Sequence, residues 1–410
     1  MKIKEKYEFA QTDEIMINKK NGHSKCLSCH SSEIENFFLL KNAPVHSIVT
    51  TKTYEEAVSI HKKDLTLSFC RNCGFIYNSS FDTSIDMYTK GYEDQQGFSG
   101  TWMKFITDFT ERFIEKYNVR NKNVIEIGCG KGDFLQIICK MGNNKGIGID
   151  PAYVPGRLEE NENLQFIREF YSEEHGDLPA DVIVCRHTME HIYDTYEFVK
   201  TIRKAVKSNP EVIVLIEVPS IVRILKINAF WDIFYEHCSY FSPGSLARLF
   251  RLNQFEVLDN YLEYDDQYLF LEARPSETAD AAVHPAEESP EQLKELVDKF
   301  VVTINIELDK WRDRLQEMKN ENKKVVIWGG GSKSVGFLTH FNYLNVVEHV
   351  VDINPHMQGN FIPGIGIQYV KPEFLETYRP DSVIIMNGVY EKEIGKMLKE
   401  MGLEPELISL

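Results

Sequence analysis

Two pairs of cysteines near the start of the chain have the spacing of metal ligands. Cys26 pairs with Cys29 and Cys70 with Cys73, and each pair encloses two residues. Thiols spaced this way reach the same tetrahedral ion, and the second pair completes a four-sulfur shell. We therefore predict a structural zinc ion at these cysteines. The alternative is that the four cysteines are redox-active or merely buried. The remaining cysteines, at positions 129, 139, 185 and 238, are scattered, which is typical of reduced thiols in a reducing compartment.

A glycine-rich turn lies between Glu126 and Asp133, directly after an apolar run that is typical of a strand. Glycines 128 and 130 let a ligand approach the backbone, because they have no Cβ. A second apolar run ends in Asp150, whose carboxylate can accept hydrogen bonds from both hydroxyls of a ribose. We therefore predict a nucleotide-type cofactor site formed by Glu126, Gly128, Gly130 and Asp150. Asp133 either pairs with an amino group of the cofactor or caps the following helix.

Ionisable and aromatic residues are concentrated between Phe230 and Ser242. Histidine has a reference pKa of about 6.5 and accepts a proton near neutral pH. His237 is therefore a candidate general base, with Glu236 beside it, and the alternative is a packed aromatic cluster under a loop. His187 and His191 stand four residues apart, as metal ligands on a helix do, but no third ligand is near in sequence, so we predict no metal there.

Strand and helix patterns alternate through the middle of the chain, which is typical of a parallel sheet covered by helices. The predicted strands are 123–127, 145–150, 164–169, 181–186 and 211–218, the predicted helices 102–117, 132–141, 195–207 and 243–252, and the closing antiparallel strands 255–261 and 267–273. The segment 275–290 is rich in proline, acids and small residues and predicts a linker. A long helix is predicted over 291–320, and a second alternating unit begins at Lys324.

The glycine turn with Asp150 resembles the first two motifs of the class I S-adenosylmethionine methyltransferases. A dinucleotide-binding dehydrogenase needs its third glycine one residue later than Gly132. The resemblance implies a class I methyltransferase Rossmann-like parallel-sheet core. The predicted fold is therefore α/β, with a small amino-terminal zinc-binding module at the cysteine pairs and a carboxyl-terminal second Rossmann-like α/β domain at the second alternating unit. The corresponding boundaries are 1–80 for the zinc-binding module, 81–274 for the methyltransferase domain, 275–290 for the linker and 291–410 for the carboxyl-terminal substrate-binding domain.

The order of cysteine pairs, methyltransferase core and Glu-His-x-Ser-Tyr-Phe-Ser segment resembles the sugar C-methyltransferases that act on nucleotide-linked keto sugars. This resemblance spans nearly the whole chain. It implies that S-adenosyl-L-methionine is the cofactor, that His237 removes a proton beside a ketone, and that Glu236 orients the site. It also implies that the resulting enolate takes the methyl group and that His191 makes a polar contact with the ligands.

The chain departs from that family at one position, because Phe234 stands where members commonly have a tyrosine. The hydroxyl that is thought to hold the enolate is therefore missing. Tyr235, Tyr88 or Tyr92 are the candidates to supply a phenol instead. The loop with Tyr88 and Tyr92 is expected to close over the cofactor; the alternative for Tyr92 is a surface tyrosine in a polar loop.

A second glycine-rich turn, 329–336, is followed by Asp352. One such motif is weak evidence for a second dinucleotide site. The family resemblance instead implies a substrate-binding unit, and the sugar nucleotide would be held between this unit and the methyltransferase unit. Lys333 at this turn is a candidate phosphate contact.

The composition excludes some classes of function. The formal net charge of −16 argues against a nucleic-acid-binding protein, because binding phosphates needs clustered cations. No segment has the apolar length that spans a bilayer, so we expect a cytoplasmic protein without a membrane partner. The leading hypothesis is C-methylation of a nucleotide-linked sugar. The alternatives are O- or N-methylation of a small molecule, and a catalytically silent cofactor-binding regulatory protein; the oligomeric state is not predicted.

Overall fold

The computed structural model describes residues 25–85, 87, 91–93, 95–158, 162–206, 209–277 and 282–410. The strands are β1 Ile34–Pro44, β2 Lys62–Cys70, β3 Ile76–Asn78, β4 Asn123–Ile127, β5 Lys145–Ile149, β6 Leu164–Ile167, β7 Val182–Arg186, β8 Ile213–Pro219, β9 Ser239–Tyr240, β10 Phe255–Glu263, β11 Tyr268–Pro275, β12 Val325–Trp328, β13 Val347–Val351, β14 Gln368–Val370, β15 Ser382–Ile385 and β16 Glu406–Ser409. The helices are α1 Tyr54–Val58, α2 Gly100–Tyr117, α3 Asp133–Gly142, α4 Thr195–Ala205, α5 Ile221–Ile227, α6 Pro243–Leu252, α7 Pro290–Asn320, α8 Ser332–Phe341, α9 Leu375–Tyr378 and α10 Glu391–Glu400.

The middle of the chain forms a seven-stranded sheet in the order β10-β11-β8-β7-β4-β5-β6. Strands β4 to β8 pair in parallel, and β10 and β11 close one edge in antiparallel orientation. The predicted strands and helices of this region are confirmed to within a few residues at their ends. Buried valines, leucines and isoleucines fill the central strands, because helices cover both faces of a parallel sheet.

The carboxyl-terminal part forms a five-stranded sheet in the order β14-β13-β12-β15-β16, with all pairs parallel. The long helix α7 precedes it and has 31 residues. Ser289 caps this helix through a capping box with Gln292, and Pro290 occupies its first turn. A buried stripe that includes Val297, Phe300 and Ile304 packs in one core with residues of both β1 and α5, so α7 joins the three parts of the chain.

A four-stranded antiparallel sheet contains the amino-terminal strands in the order β1-β2-β3-β9. Its last strand is Ser239–Tyr240, which lies within the predicted methyltransferase domain, 81–274. The boundary at residue 80 stays a prediction, but the two parts are joined by hydrogen-bonded strands. Of the predicted linker, residues 278–281 lie outside the described residues. In the described part of the chain, no helix combines the length and the apolar character that a membrane crossing requires.

Candidate active site

A cavity of about 440 Å³ lies between the seven-stranded and the five-stranded sheets. Its walls come from α2, the turns after β4 and β12, the ends of β7, β13 and β15, and the segment that contains His237. The carboxyl ends of parallel strands from both sheets therefore face one space, which is where ligands bind in open α/β folds.

The turn after β4 has the backbone conformation that its glycines predict. Gly128 and Gly132 have φ angles of 70° and 90°, in the left-handed region that side chains disfavour. A Cβ on Gly128 would lie 2.0 Å from Oγ1 of Thr188, so no other residue fits this position. Gly128 and Gly130 both line the cavity, so a ligand there would contact their backbone atoms directly.

Glu126 lies on the cavity wall and is only 3% exposed. Burial raises the pKa of Glu126 to about 8; nearby Asp133 adds to this effect, and Arg186 opposes it. One carboxylate oxygen, Oε2, has no hydrogen-bond partner among the described residues. A buried carboxyl group with an unsatisfied oxygen is a site for a hydrogen-bond donor or a cation of a ligand.

The other predicted cofactor residues surround this turn. Asp150 follows β5 and accepts hydrogen bonds from the backbone N–H groups of Gly130, at 2.8 Å, and Ala152, at 2.6 Å. It shapes the turn from beside the cavity rather than lining its wall. Asp133 is the first residue of α3 and accepts from the Gln95 amide at 2.9 Å, while the N-cap is Gly132. Tyr92 lines the cavity, and its carbonyl oxygen accepts from Nζ of Lys131 at 3.0 Å.

His237 lines the cavity next to two rings. Its ring centre lies 4.1 Å from that of Phe234 and 4.9 Å from that of His191. Burial, together with the positive charges of His191, His187 and Lys333, holds the pKa of His237 well below its ordinary value. The imidazole is therefore neutral near pH 7 and can accept a proton.

Glu236 is 1% exposed and lies behind His237, outside the cavity lining. Its carboxylate accepts a hydrogen bond from the Ser47 hydroxyl, and His46 Nδ1 lies 3.7 Å from Oε1. Ser47 in turn contacts the Ser332 hydroxyl at 2.9 Å, at the start of α8. The Glu236 side chain thus joins the amino-terminal, central and carboxyl-terminal parts of the chain, and its backbone carbonyl lies 3.1 Å from Nδ1 of His191.

The tyrosines considered as phenol donors lie in different places. The Tyr235 hydroxyl accepts from the N–H of Asp82 at 2.9 Å and points to the carbonyl of Ser80 at 3.3 Å, and the residue does not line the cavity. This position argues against Tyr235 as a phenol for the reaction, because its hydroxyl is held by the backbone of the segment that follows β3. Tyr88 lies outside the described residues, and Phe234 itself lines the cavity.

A buried charged network at the ends of β7 and β8 was missed at the sequence level. Arg186 forms an ion pair with Glu217, and Nε2 of His187 lies 3.1 Å from the same carboxylate. Burial disfavours the charged His187 ring, yet Glu217 and Glu190 together raise the pKa of His187 to about 9. The signal was present in the sequence, because an arginine and a glutamate interrupt otherwise apolar strands.

The second glycine turn repeats the geometry of the first. The N–H of Gly330 donates to the Asp352 carboxylate at 2.6 Å, as that of Gly130 does to Asp150. Burial raises the pKa of Asp352. Lys333, also on the cavity wall, binds both oxygens of Asp232 at 2.6 and 2.8 Å, and burial lowers its pKa.

The four amino-terminal cysteines converge. The Sγ atoms of Cys26 and Cys73 are 3.7 Å apart, and those of Cys29 and Cys70 are 3.6 Å apart. A tetrahedral zinc ion with bonds of about 2.3 Å to sulfur separates its ligands by about 3.8 Å. The side chains therefore fit a zinc ion and are too far apart for disulfides.

Glu190, His191 and His237 also bring possible metal ligands within 4.8 Å of one another. His237 is the third group that could not be seen near His191 in the sequence. Burial is the main cause of the low pKa of His237, with the charges of His191, His187 and Lys333 adding to it, and both disfavour a cation at this place. We therefore assign no metal to this cluster.

Two family models match the chain. Residues 99–260 match the model described as a methyltransferase domain, and residues 272–404 match the model described as the C-methyltransferase C-terminal domain. The second match begins within β11, where the seven-stranded sheet ends, and covers four of the five strands of the carboxyl-terminal sheet, since it ends before β16.

Among curated proteins, the C-methyltransferase NovU of Streptomyces niveus is 23% identical over 353 residues, which cover 82% of this chain and 83% of NovU. A ubiquinone biosynthesis O-methyltransferase of Erwinia tasmaniensis is 31% identical over 99 residues, which are 22% of this chain and 40% of that protein. Among solved structures, the magnesium protoporphyrin IX methyltransferase of Synechocystis, with bound S-adenosylhomocysteine, is 15% identical at a TM-score of 0.34, over 46% of this chain and 91% of the other. The glycine turn, the seven-stranded sheet and the two family models agree. The chain is therefore an S-adenosylmethionine-dependent methyltransferase, and its carboxyl-terminal part is similar to the C-methyltransferase C-terminal domain.

Proposed function

We propose that the protein transfers a methyl group from S-adenosylmethionine to a carbon atom of a nucleotide-linked keto sugar, with His237 as the general base. The observation that carries this proposal is the neutral imidazole of His237 on the wall of a cavity that both sheets form. S-adenosylmethionine supplies an electrophilic methyl group on a sulfonium centre. The acceptor carbon must be activated by the protein, because a C–H bond beside a ketone is not a nucleophile until its proton is removed.

His237 takes that proton onto a ring nitrogen, and the electron pair of the C–H bond passes into the enolate. The low pKa of His237 keeps its ring unprotonated near neutral pH, so no proton has to leave the base before turnover. The contact between Nδ1 of His191 and the carbonyl of Glu236 fixes the ring that packs on His237. Glu236 acts as a positioning residue in this scheme, since its carboxylate is used by Ser47.

The carboxyl-terminal turn supports a nucleotide-linked substrate. Arg223 and Lys333 line the cavity and both pair with the carboxylate of Asp232, and Arg223 also pairs with the exposed carboxylate of Asp265. A diphosphate can contact these cationic side chains, and the N–H groups at the start of α8 face the same space. Lys333 would then contact phosphate while Asp232 keeps its ammonium group in place.

We further propose that Cys26, Cys29, Cys70 and Cys73 hold a structural zinc ion without a chemical role. The sulfur separations support this assignment. The strand β3 follows the second cysteine pair and binds β9, which begins two residues after His237. Zinc at this position would stabilise the sheet edge from which the proposed base projects.

The test is methyl transfer to a panel of keto sugar nucleotides deuterated beside the ketone. We expect the wild type to release deuterium and form a C-methylated product, and His237→Asn to lose both while binding S-adenosylhomocysteine normally. His356→Gln is the matched control, because His356 is exposed and outside the cavity lining. Equal loss of cofactor binding and turnover in His237→Asn would contradict its role as base.

O-methylation is the second candidate, and Phe234 favours it, because the hydroxyl expected near an enolate is absent. The match to an O-methyltransferase over 99 residues points the same way. Product formation with full retention of deuterium would establish this alternative. Cofactor binding without turnover on any acceptor would indicate a regulatory protein.

A further inference from the structure

A carboxylate from the carboxyl-terminal part caps helix α2 at the cavity. Glu393, on α10, accepts hydrogen bonds from the backbone N–H groups of Gly100, at 3.2 Å, and Thr101, at 3.1 Å. The hydroxyl of Ser99, the N-cap residue of α2, donates to the same carboxylate at 2.8 Å. The first N–H groups of a helix have no partner within the helix, and a negative charge beside them is favourable. Glu393 therefore supplies a cap from a separate part of the chain.

Helix α2 does not supply this charge itself, because its first turn contains no acidic residue. Burial favours the neutral form of the Glu393 carboxyl group, but the hydrogen bonds from Thr101 and Ser99 outweigh burial and lower the pKa of Glu393. The carboxylate is thus ionised near neutral pH, as an anionic cap requires.

From this capped end, α2 forms one wall of the cavity. Trp102, Met103 and Ile106 all line the cavity, and the backbone N–H of Trp102 donates to the Ser99 hydroxyl at 3.2 Å. The Trp102 side chain is buried and packs edge-on against Tyr268 of β11, with ring centres 5.9 Å apart. A shift of the cap would therefore move the first side chain of this wall.

The same two parts of the chain are joined at a second place on the cavity wall. The side-chain amides of Gln267, before β11, and Asn387, after β15, bond each other reciprocally at 3.0 and 2.9 Å. The carboxyl-terminal part thus holds the methyltransferase part on both sides of α2 and β11, and Glu393 is the contact that reaches α2.

We propose that Glu393 is a positioning residue for methyl transfer, which holds the α2 wall of the cavity in place from the carboxyl-terminal part. It acts through Ser99 and the first N–H groups of α2 and does not touch the reacting atoms. The cavity is then complete only while this contact is made, so ligand binding and the cap stabilise each other. The inference depends on binding of the methyl donor and not on the identity of the acceptor.

The first test is the affinity of Glu393→Gln for S-adenosylhomocysteine, measured by calorimetry. Glutamine keeps the size of the side chain but removes its charge, and we expect binding about 5- to 30-fold weaker, as for the loss of a helix cap. Glu391→Gln is the matched control, because Glu391 lies in the same turn of α10, is exposed and is outside the cavity lining. An unchanged affinity in Glu393→Gln would refute the proposal even if its melting temperature fell, since a purely structural cap alters stability alone.

A double-mutant cycle then shows whether Glu393 acts through the helix. Ser99→Ala removes the hydroxyl between Glu393 and Trp102, and should weaken binding in the same direction. In the double variant the loss of affinity should be smaller than the product of the two single losses. Losses that multiply would mean that Glu393 contacts the ligand itself and would overturn the assignment. Hydrogen exchange gives an independent readout, because the amides of Gly100 and Thr101 should exchange faster in Glu393→Gln; unchanged exchange would contradict the cap.

Discussion

Replacement of Glu126 by glutamine should make the ligand-free protein more stable at high pH. The folded pKa of Glu126 is about 8 against a reference of 4.5, so the native state binds one proton more than the unfolded state between these values. The unfolding free energy of the wild type must therefore fall, relative to Glu126→Gln, as the pH rises through this window. At about 1.36 kcal/mol for each pH unit the full difference approaches about 5 kcal/mol.

The assay is urea unfolding of both proteins without cofactor at pH 5.5, 6.5, 7.5 and 8.5, followed by tryptophan fluorescence. The difference between the two unfolding free energies should grow by about 1.4 kcal/mol for each pH unit and level off above pH 8. Glu115→Gln is the control, because it makes the same chemical change at an exposed position on α2. A Glu126→Gln difference that is flat across the range would refute the burial argument.

Cys70→Ser should lower the zinc content and the thermal stability together, because one of four converging thiolates is lost. Metal analysis and calorimetric melting check this, and an unchanged zinc content in the variant would contradict it. His340 packs against Phe230, and burial lowers the pKa of His340 from 6.5 to about 4. Between these values the unfolded state binds one proton more than the folded state, so the wild type loses stability as the pH falls from about 6.5 to 4. His340→Leu should remove about 3 kcal/mol of this acid sensitivity, measured as the difference in unfolding free energy between pH 7 and pH 4; identical acid profiles would contradict it.

The central sheet could be predicted because its signals are local. Each strand from β4 to β8 is a short apolar run, and each is bounded by polar or glycine residues. The strands β1 to β3 were not predicted: their pairing is antiparallel and long-range, and β9 joins them from residues 239 and 240. A single segment does not specify its pairing partner, because strand preference reflects the packing that the finished sheet provides.

The residue types of the site could be predicted from the sequence. The directions in which their side chains point could be predicted less well. The glycine turn, Glu126 and His237 all reach the cavity. Tyr235 turns away because its hydroxyl meets the backbone of residues 80 and 82, a contact that sequence spacing cannot reveal. Arg186 is the last residue of an apolar strand, so its charge is equally typical of a strand end and of a site residue.

The contact chain from Ser47 through Glu236 to Ser332 limits how such enzymes can be recombined. A chimera that exchanges only residues 291–410 for those of another methyltransferase would place a foreign helix start against Ser47. The choice of methyl acceptor and the orientation of the His237 imidazole would then change together. Successful exchange of substrate preference has to transplant the loop around Ser47 and the Phe230–Ser242 segment along with the carboxyl-terminal part, so these pieces are expected to evolve as one unit.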